Sequence, residues 1–370
     1  MVLYYNEQTN QNQNFILHEG KMKSAKLCAV LFALLAAVFY SLNTPFSKLL
    51  LAEISATMMA ALLYLGAGVG VGIMYCFHWK KEDKKERLTK KDLPYTIGMI
   101  VLDIAAPIFL MLGIQNGTAS NASLLGNFEI VATTVIALFF FGEKVSVKLW
   151  TAIGLITLSS IILSFEGIGS FQFSGGSLLV LLATCCWGLE NNCTRSISDK
   201  SSYEIVTIKG IFSGLGSLAV GLIIGEKLPS VRFILPAMIL GFIAYGLSIF
   251  MYVKAQRTLG AAKTSAYYAV APFIGSFLAF AFVGDKLSLN YVIALLVMIA
   301  GTAFVMSDTL IMHHRHMHTH AITHTHDGST HTHMIDHEHE HSHIGDSLIH
   351  RHTTKKFMNS PEHMAQHMHS

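Results

Sequence analysis

Tyr40-Ser41-Leu42-Asn43-Thr44-Pro45-Phe46-Ser47-Lys48 has a counterpart later in the chain, Trp187-Gly188-Leu189-Glu190-Asn191-Asn192-Cys193-Thr194-Arg195. Aromatic, small, leucine, polar, then hydroxyl and cation recur in the same order and at the same spacing. A second match sets Gly142-Glu143-Lys144 against Gly284-Asp285-Lys286, with Ala119 on Ala261 and Ser123 on Ser265. The two alignments differ by a few residues, and most of that difference falls in the basic loop 78–94, shortened to 198–204 in the second copy. Either match alone would be weak among apolar sequences. Two in order, with one change of loop length, indicate an internal duplication.

Both copies lie in long apolar runs. The 370 residues are 52% hydrophobic and only 13% charged, far fewer charges than the quarter or so of a soluble domain. Ten stretches approach the roughly 20 apolar residues a helix needs to cross a bilayer: 27–50, 54–77, 95–114, 120–141, 148–165, 177–195, 205–225, 234–254, 262–283 and 289–307. They lack the alternation a lipid-embedded barrel requires, and every amide in hydrocarbon must be satisfied within its segment. The expected fold is an all-α integral membrane protein with ten transmembrane helices.

Charge placement orients it. With the N-terminus inside, the inner segments carry Lys21, Lys23, Lys26, Lys80, Lys81, Lys84, Lys85, Arg87, Lys90, Lys91, Lys144, Lys148, Arg195, Lys200, Lys254, Arg257 and Lys263. The outer loops carry Lys227, Arg232 and Lys286. This positive-inside bias and an even helix count place both termini in the cytoplasm, with the plasma membrane as the expected location. Residues 1–25 read as a disordered polar extension, 26–165 and 177–307 as the two five-helix repeats, and 308–370 as a cytoplasmic tail. The first apolar run continues without a clear cleavage site and reads as an uncleaved helix. Of five cysteines, four fall inside apolar runs and Cys76 at a helix end. They read as buried small hydrophobes, with no disulfide framework.

Five helices per repeat is an odd number, so the second copy is inverted relative to the first. In that arrangement substrate binds near the midplane between repeats. Gly66, Gly68, Gly70 and Gly72 in the second stretch match Gly210 and Gly214, and Gly221 and Gly225, in the seventh. Such spacings let backbones approach closely.

Residues 26–307 resemble the drug/metabolite transporter superfamily, specifically its EamA-type family. The most specific features are two Gly-acid-Lys turns, Phe141-Gly142-Glu143-Lys144-Val145-Ser146 and Val283-Gly284-Asp285-Lys286-Leu287-Ser288. Family members carry a proline in the middle of both preceding helices. Pro272 keeps it, whereas the aligned position is Ile130, beside Glu129. The resemblance implies transport without naming a substrate.

An acid at membrane depth costs about 2.5–3.5 kcal/mol on insertion scales, so it needs a partner or a purpose. Asp103, Glu129 and Glu190 qualify, with Asn127 beside Glu129, and Asn191 and Asn192 beside Glu190. Glu129 lies deepest. The functional reading makes Glu129, Asn127, Glu190, Asn191, Asp103 and Asn43 a substrate- or proton-binding set; the alternative is structural hydrogen bonding between helices. Lys48, Arg195 and Lys209 read as snorkelling anchors. Pro45 and Pro272 are hinge candidates, as is Pro107, because proline frees a carbonyl that can face a cavity; a simple packing kink is the other reading. Tyr267 and Tyr268 read as aromatic packing.

The tail is dense in histidine: His313, His314, His316, His318, His320, His324, His326, His331, His333, His337, His339, His341 and His343. Neutral imidazoles ligate Zn2+ and Ni2+, and tracts of them do so without a fixed fold. Their alternation is not expected to form regular structure. Two His-Glu-x-x-His matches, His337–His341 and His339–His343, lack the buried scaffold of a catalytic zinc helix.

The expected function is secondary transport of a small polar metabolite such as an amino acid, by alternating access and with proton coupling, under a metal-binding regulatory tail. One alternative is a divalent-metal exporter fed by the tail; another is a membrane-anchored metal sensor or scaffold without transport. No enzymatic activity, required cofactor or nucleic-acid partner is expected. The bilayer, a small-molecule substrate and divalent metal ions are the expected partners of a monomer or homodimer.

Overall fold

A backbone amide in hydrocarbon finds its partner only within its own segment, and the apolar runs accordingly form helices. The computed structural model describes residues 25–81, 84–141, 146–167, 170–259, 264, 267–326 and 329–344. It divides into two units, Met1–Met306 and Ser307–Ser370.

In the first unit the helices are α1 (Ala25–Leu50), α2 (Ala56–His78), α3 (Lys90–Gln115), α4 (Ala119–Leu125), α5 (Phe128–Phe141), α6 (Val147–Ser164), α7 (Gly175–Arg195), α8 (Ser202–Ile223), α9 (Val231–Leu259), α10 (Ala271–Val283) and α11 (Leu289–Leu310). Among the described residues seven helices are long and apolar enough to cross a bilayer: α1, α2, α3, α6, α8, α9 and α11. The chain is thus a multi-pass membrane protein. Leu31, Ile73, Val101, Phe212, Leu235 and Leu296 are all exposed, as an outer surface facing lipid tails requires.

The remaining four helices differ from the simplest reading for identifiable reasons. The fourth apolar run is not one helix. It breaks between α4 and α5 at Gly126-Asn127, where the amides of Gly126, Asn127, Glu129 and Ile130 bond three residues back instead of four. α7 contains Glu190, Asn191 and Asn192 and is correspondingly less apolar. α10 is short, and Pro272 stands in its first turn after a turn at 269–270, so this proline starts a helix instead of kinking one. Pro45 follows a one-residue turn at Leu42 that interrupts α1, and Pro107 lies inside α3.

The described structure is also not purely helical. A short antiparallel pair, β1 (Phe165–Gly167) and β2 (Ser170–Phe173), joins α6 to α7. In the second unit β3 (Ile311–His326) pairs with β4 (Ser329–Ile344). This corrects the expectation of an irregular tail: alternation at period two is the strand pattern. The register sets His314 against His341, His316 against His339, His318 against His337 and His324 against His331. His350 and later residues lie outside the described ones.

α2 forms the centre of the first unit, with Met58, Met59, Leu63 and Tyr64 almost fully buried. It packs on α8 and α9, while α3 and α5 pack on α7, and α4 on α10. At the α2–α8 crossing a side chain at Gly210 would reach within 2.8 Å of the Tyr64 carbonyl, and one at Gly214 within 2.7 Å of the Leu65 amide. Gly68 meets the backbone of Ile211 in the same way. The glycines therefore bring two backbones into contact, as their spacing suggested.

The Gly-acid-Lys turn after α10 has a structural use. Gly284 sits at φ 77°, the left-handed region that glycine enters without a Cβ penalty. Beside it the Asp285 carboxylate accepts the Ser120 amide at 2.7 Å and caps the N-terminus of α4. The matching turn, with Glu143, lies outside the described residues. The cysteine expectation is corrected: Cys28, Cys76 and Cys185 are exposed, Cys186 and Cys193 half-buried, and all are free. In a bilayer an apolar residue on the outer face needs no burial.

Candidate functional site

Three helices converge on one buried cation. Lys209 lies seven residues into α8. Its Nζ is 2.9 Å from Asp103 Oδ2 of α3 and 2.9 Å from Glu190 Oε1 of α7. The side chains are 8%, 0% and 3% exposed, respectively, and Lys209 is the one buried lysine or arginine among the described residues. It is therefore no snorkelling anchor. Sequence shows how far a lysine is from its own helix end, but not that two carboxylates on other helices come to meet it.

Each acid of this triad has a further donor. Tyr64 Oη donates to Asp103 Oδ1 at 2.8 Å, and Thr194 Oγ1 donates to Glu190 from the next turn. Asn43 and Ser47, which align with Glu190 and Thr194 in the internal duplication, make the same i,i+4 bond: Ser47 Oγ to Asn43 Oδ1 at 3.0 Å. Asn43 Nδ2 then reaches Tyr245 Oη of α9 at 2.9 Å. Tyr245 lies in a six-residue π-helical segment, Phe242–Leu247, a local widening that recurs at functional sites.

Glu129 differs from the other two acids. It is half-buried where they are buried, and its described polar partner is the Asn191 amide, Nδ2 to Oε1 at 2.6 Å. Asn191 also donates to Thr133 Oγ1 at 3.3 Å. Glu129 lies in the first turn of α5, just past the break. Glu190 and Lys209 lie within electrostatic reach of it. Asn127, at the break itself, is 2% exposed and its Nδ2 has no partner among the described residues. Asn192 donates to the Gly188 carbonyl at 2.8 Å, a bond within its own helix.

The structure thus links Asp103 and Glu190 through Lys209, links Glu129 to Asn191, and ties Asn43 to the second half of the chain through Tyr245. Tyrosines surround this region: Tyr40 contacts Tyr245 and Tyr268 at ring-centroid distances of 5.9 and 5.6 Å, and Tyr64 contacts Tyr245 at 5.1 Å. Tyr40, Ser41, Thr44, Ser123, Thr184 and Trp187 help line a cavity with room for little more than a water molecule. Pro272 contributes to its wall.

Polar contacts at both ends of the bundle cross between the two halves. At one end Arg257 pairs with Glu86 at 3.2 Å and donates to the Lys200 carbonyl, and Leu88 N donates to Glu204 at 2.8 Å. At the other Glu226 accepts from Ser55 Oγ and the Met58 amide, capping α2. Lys48 donates to the carbonyls of Ile114 and Gly117 at 2.6 and 2.7 Å. It thus satisfies the carboxyl end of α3 and is likewise more than a membrane anchor. Among described residues no group of three or more His, Cys, Asp or Glu is placed to hold a metal ion.

Comparison with known proteins follows the internal duplication. The model of the EamA-like transporter family matches residues 27–165 and again 174–307. An uncharacterized transporter of Methanothermobacter thermautotrophicus is 24% identical over 285 residues, covering 72% of this chain and 82% of the relative. An uncharacterized transporter of Clostridium kluyveri is also 24% identical, over 74% of this chain and 91% of the relative. A solved crystal structure shares the fold at a TM-score of 0.55 and 16% identity, spanning 77% of this chain and 97% of the other.

Proposed function

The chain belongs to the EamA-like transporter family, and from that premise we propose that it is a secondary transporter with ten membrane-crossing helices in two inverted repeats. It moves a small polar metabolite carrying an amino group, such as an amino acid, by alternating access, and exchanges protons at Glu129. The observation that carries this reading is the half-buried Glu129, held by one amide beside the buried Asp103–Lys209–Glu190 triad. An acid in that position binds a cation or a proton as a transport cycle requires.

Inverted duplication has three supports. The family model matches twice. The bond from Ser47 to Asn43 recurs from Thr194 to Glu190 at duplicated positions. The contact of α2 with α8 joins equivalent elements of the two copies, and that of α4 with α10 joins the matching fourth and ninth apolar runs, as an in-plane two-fold axis demands. The basic loops set both termini in the cytoplasm and the protein in the plasma membrane. The tail takes the role of a divalent-metal-binding regulator, a reading supported by its density of histidine. Transport, not catalysis, is the activity, and no bound cofactor is needed for it.

The test is exchange in proteoliposomes of purified protein, preloaded in turn with amino acids, amines and nucleosides and driven by a pH step. Exchange of one such metabolite, lost in Glu129→Gln with insertion intact, is the expected result. Wild-type exchange and wild-type pH dependence in Glu129→Gln would reduce Glu129 to a structural residue.

A further inference from the structure

We infer that the small cavity between the two copies is a binding site for one dehydrated Na+ ion, held by uncharged oxygens. The site is apart from Glu129 and includes no carboxylate. It stands on its own observations and does not depend on the transport reading.

The cavity lies where the chain is irregular three times over. α1 is interrupted at Leu42, and Pro45 lacks the amide that would bond the Ser41 carbonyl four residues back. α4 ends at the Gly126-Asn127 break, and α10 begins at Ala271-Pro272 after a turn. Ser41, Thr44, Ser123, Gly126, Thr184 and Pro272 all line the same space. Gly275 of α10 makes the convergence tight. A Cβ there would meet Ser123 Oγ and stand 3.0 Å from the Ser41 carbonyl oxygen. Interrupted helices whose carbonyls face a cavity are where membrane proteins coordinate Na+.

Hydrogen bonding gives the wall its sign. A hydroxyl has one proton and two lone pairs. Ser41 Oγ donates to the Val38 carbonyl at 2.6 Å, Ser123 Oγ to the Pro272 carbonyl at 3.1 Å, and Thr184 Oγ1 to the Leu181 carbonyl at 2.7 Å. What remains on all three is acceptor capacity. Thr44 is 6% exposed, and its Oγ1 makes no hydrogen bond among the described residues. A buried hydroxyl on the wall thus still lacks a partner. A water molecule brings only two protons to these acceptors, whereas a cation is met by all of them at once.

Size and charge narrow the ion. The cavity has room for little more than a water molecule, a size that bare Na+ fits and bare K+ exceeds. Ca2+ and Mg2+ are bound through carboxylates, and among the described residues no acid lines the cavity. A single positive charge is compensated from nearby. Asp103 and Glu190 against Lys209 leave one negative charge in the bundle, and Tyr64, which donates to Asp103, also interacts with Trp187 of the cavity wall. Because α1 and α4 belong to the first copy and α7 and α10 to the second, a bound ion would clasp the two copies together.

Equilibrium dialysis of the purified full-length protein against radiolabelled Na+ in choline chloride buffer tests this. One Na+ per chain is expected, displaced by unlabelled Na+ or Li+ and not by the same concentration of K+. Thr44→Val, which replaces the hydroxyl with a methyl of like size, should weaken binding by about tenfold or more, and Thr44→Ser should retain it. In the unmodified protein NaCl should raise the midpoint of thermal unfolding and KCl should not, a readout that depends on no variant's folding. Absence of saturable Na+ binding, or equal displacement by K+, would leave the cavity a water site and overturn the proposal. Loss of Na+ binding in Glu129→Gln, with Thr44→Val unaffected, would overturn it by moving the ion to the carboxylate.

Discussion

Replacing Lys209 with methionine isolates what the buried triad contributes. Methionine keeps the length and packing of the side chain but removes the charge, leaving Asp103 and Glu190 facing each other's surroundings without the ammonium 2.9 Å from each. Breaking a buried ion pair at one partner costs about 3–5 kcal/mol. The half-exposed Glu86–Arg257 pair provides a scale, since solvent-screened pairs contribute about 0–1 kcal/mol. Lys209→Met should therefore lower the midpoint of thermal unfolding by on the order of 10 °C, whereas Arg257→Met should move it little. Unfolding followed by tryptophan fluorescence in detergent reads both. Adding Asp103→Asn and Glu190→Gln to Lys209→Met should recover most of the loss, because the buried charges are then gone as well. A Lys209→Met protein with the wild-type midpoint would refute the placement of this lysine between two acids.

Three further outcomes follow from other parts of the structure. A reporter fused after residue 307 should read cytoplasmic, and a cysteine at the exposed position Asn116 should label from outside; an external C-terminus would overturn the ten-helix topology. Asp285→Ala should cost about 0.5–2 kcal/mol by uncapping α4, seen as a lower unfolding midpoint that Asp285→Asn largely restores. The tail histidines should bind Zn2+ or Ni2+ above about pH 7 and release it by about pH 5.5, because imidazole ligates a metal only in its neutral form; calorimetry at the two pH values checks this. Deleting 313–370 should leave metabolite exchange intact and remove its response to metal.

Much of this architecture is legible in the sequence because the bilayer imposes such simple rules. Apolar length marked the helices, and the glycine spacing at Gly68, Gly210 and Gly214 marked faces where backbones approach closely, without saying that α2 and α8 meet each other there. Asp103, Glu129 and Glu190 stood out because acids are costly at that depth. What the sequence hides is which helices are neighbours. The meeting of Lys209 with acids of α3 and α7, of Asn43 with Tyr245, and of Asp285 with the start of α4 are all contacts between distant segments. The break at Gly126-Asn127 is hidden for a different reason: its apolar surroundings read as one run, with no proline to mark the interruption. The tail hairpin is hard to read although its alternation is that of a strand, because polar low-complexity sequence offers no core to organise it.

Alternating access is the central claim, and a reversible cross-link across the Glu86–Arg257 contact between the two halves tests it most directly. Cysteines at positions 86 and 257, on a background with the five native cysteines replaced, would be bridged by a short bifunctional thiol reagent in proteoliposomes. If the halves must part at this end for the site to open inward, bridging should stop metabolite exchange and a reductant should restore it. Full exchange in a completely bridged protein would contradict the account.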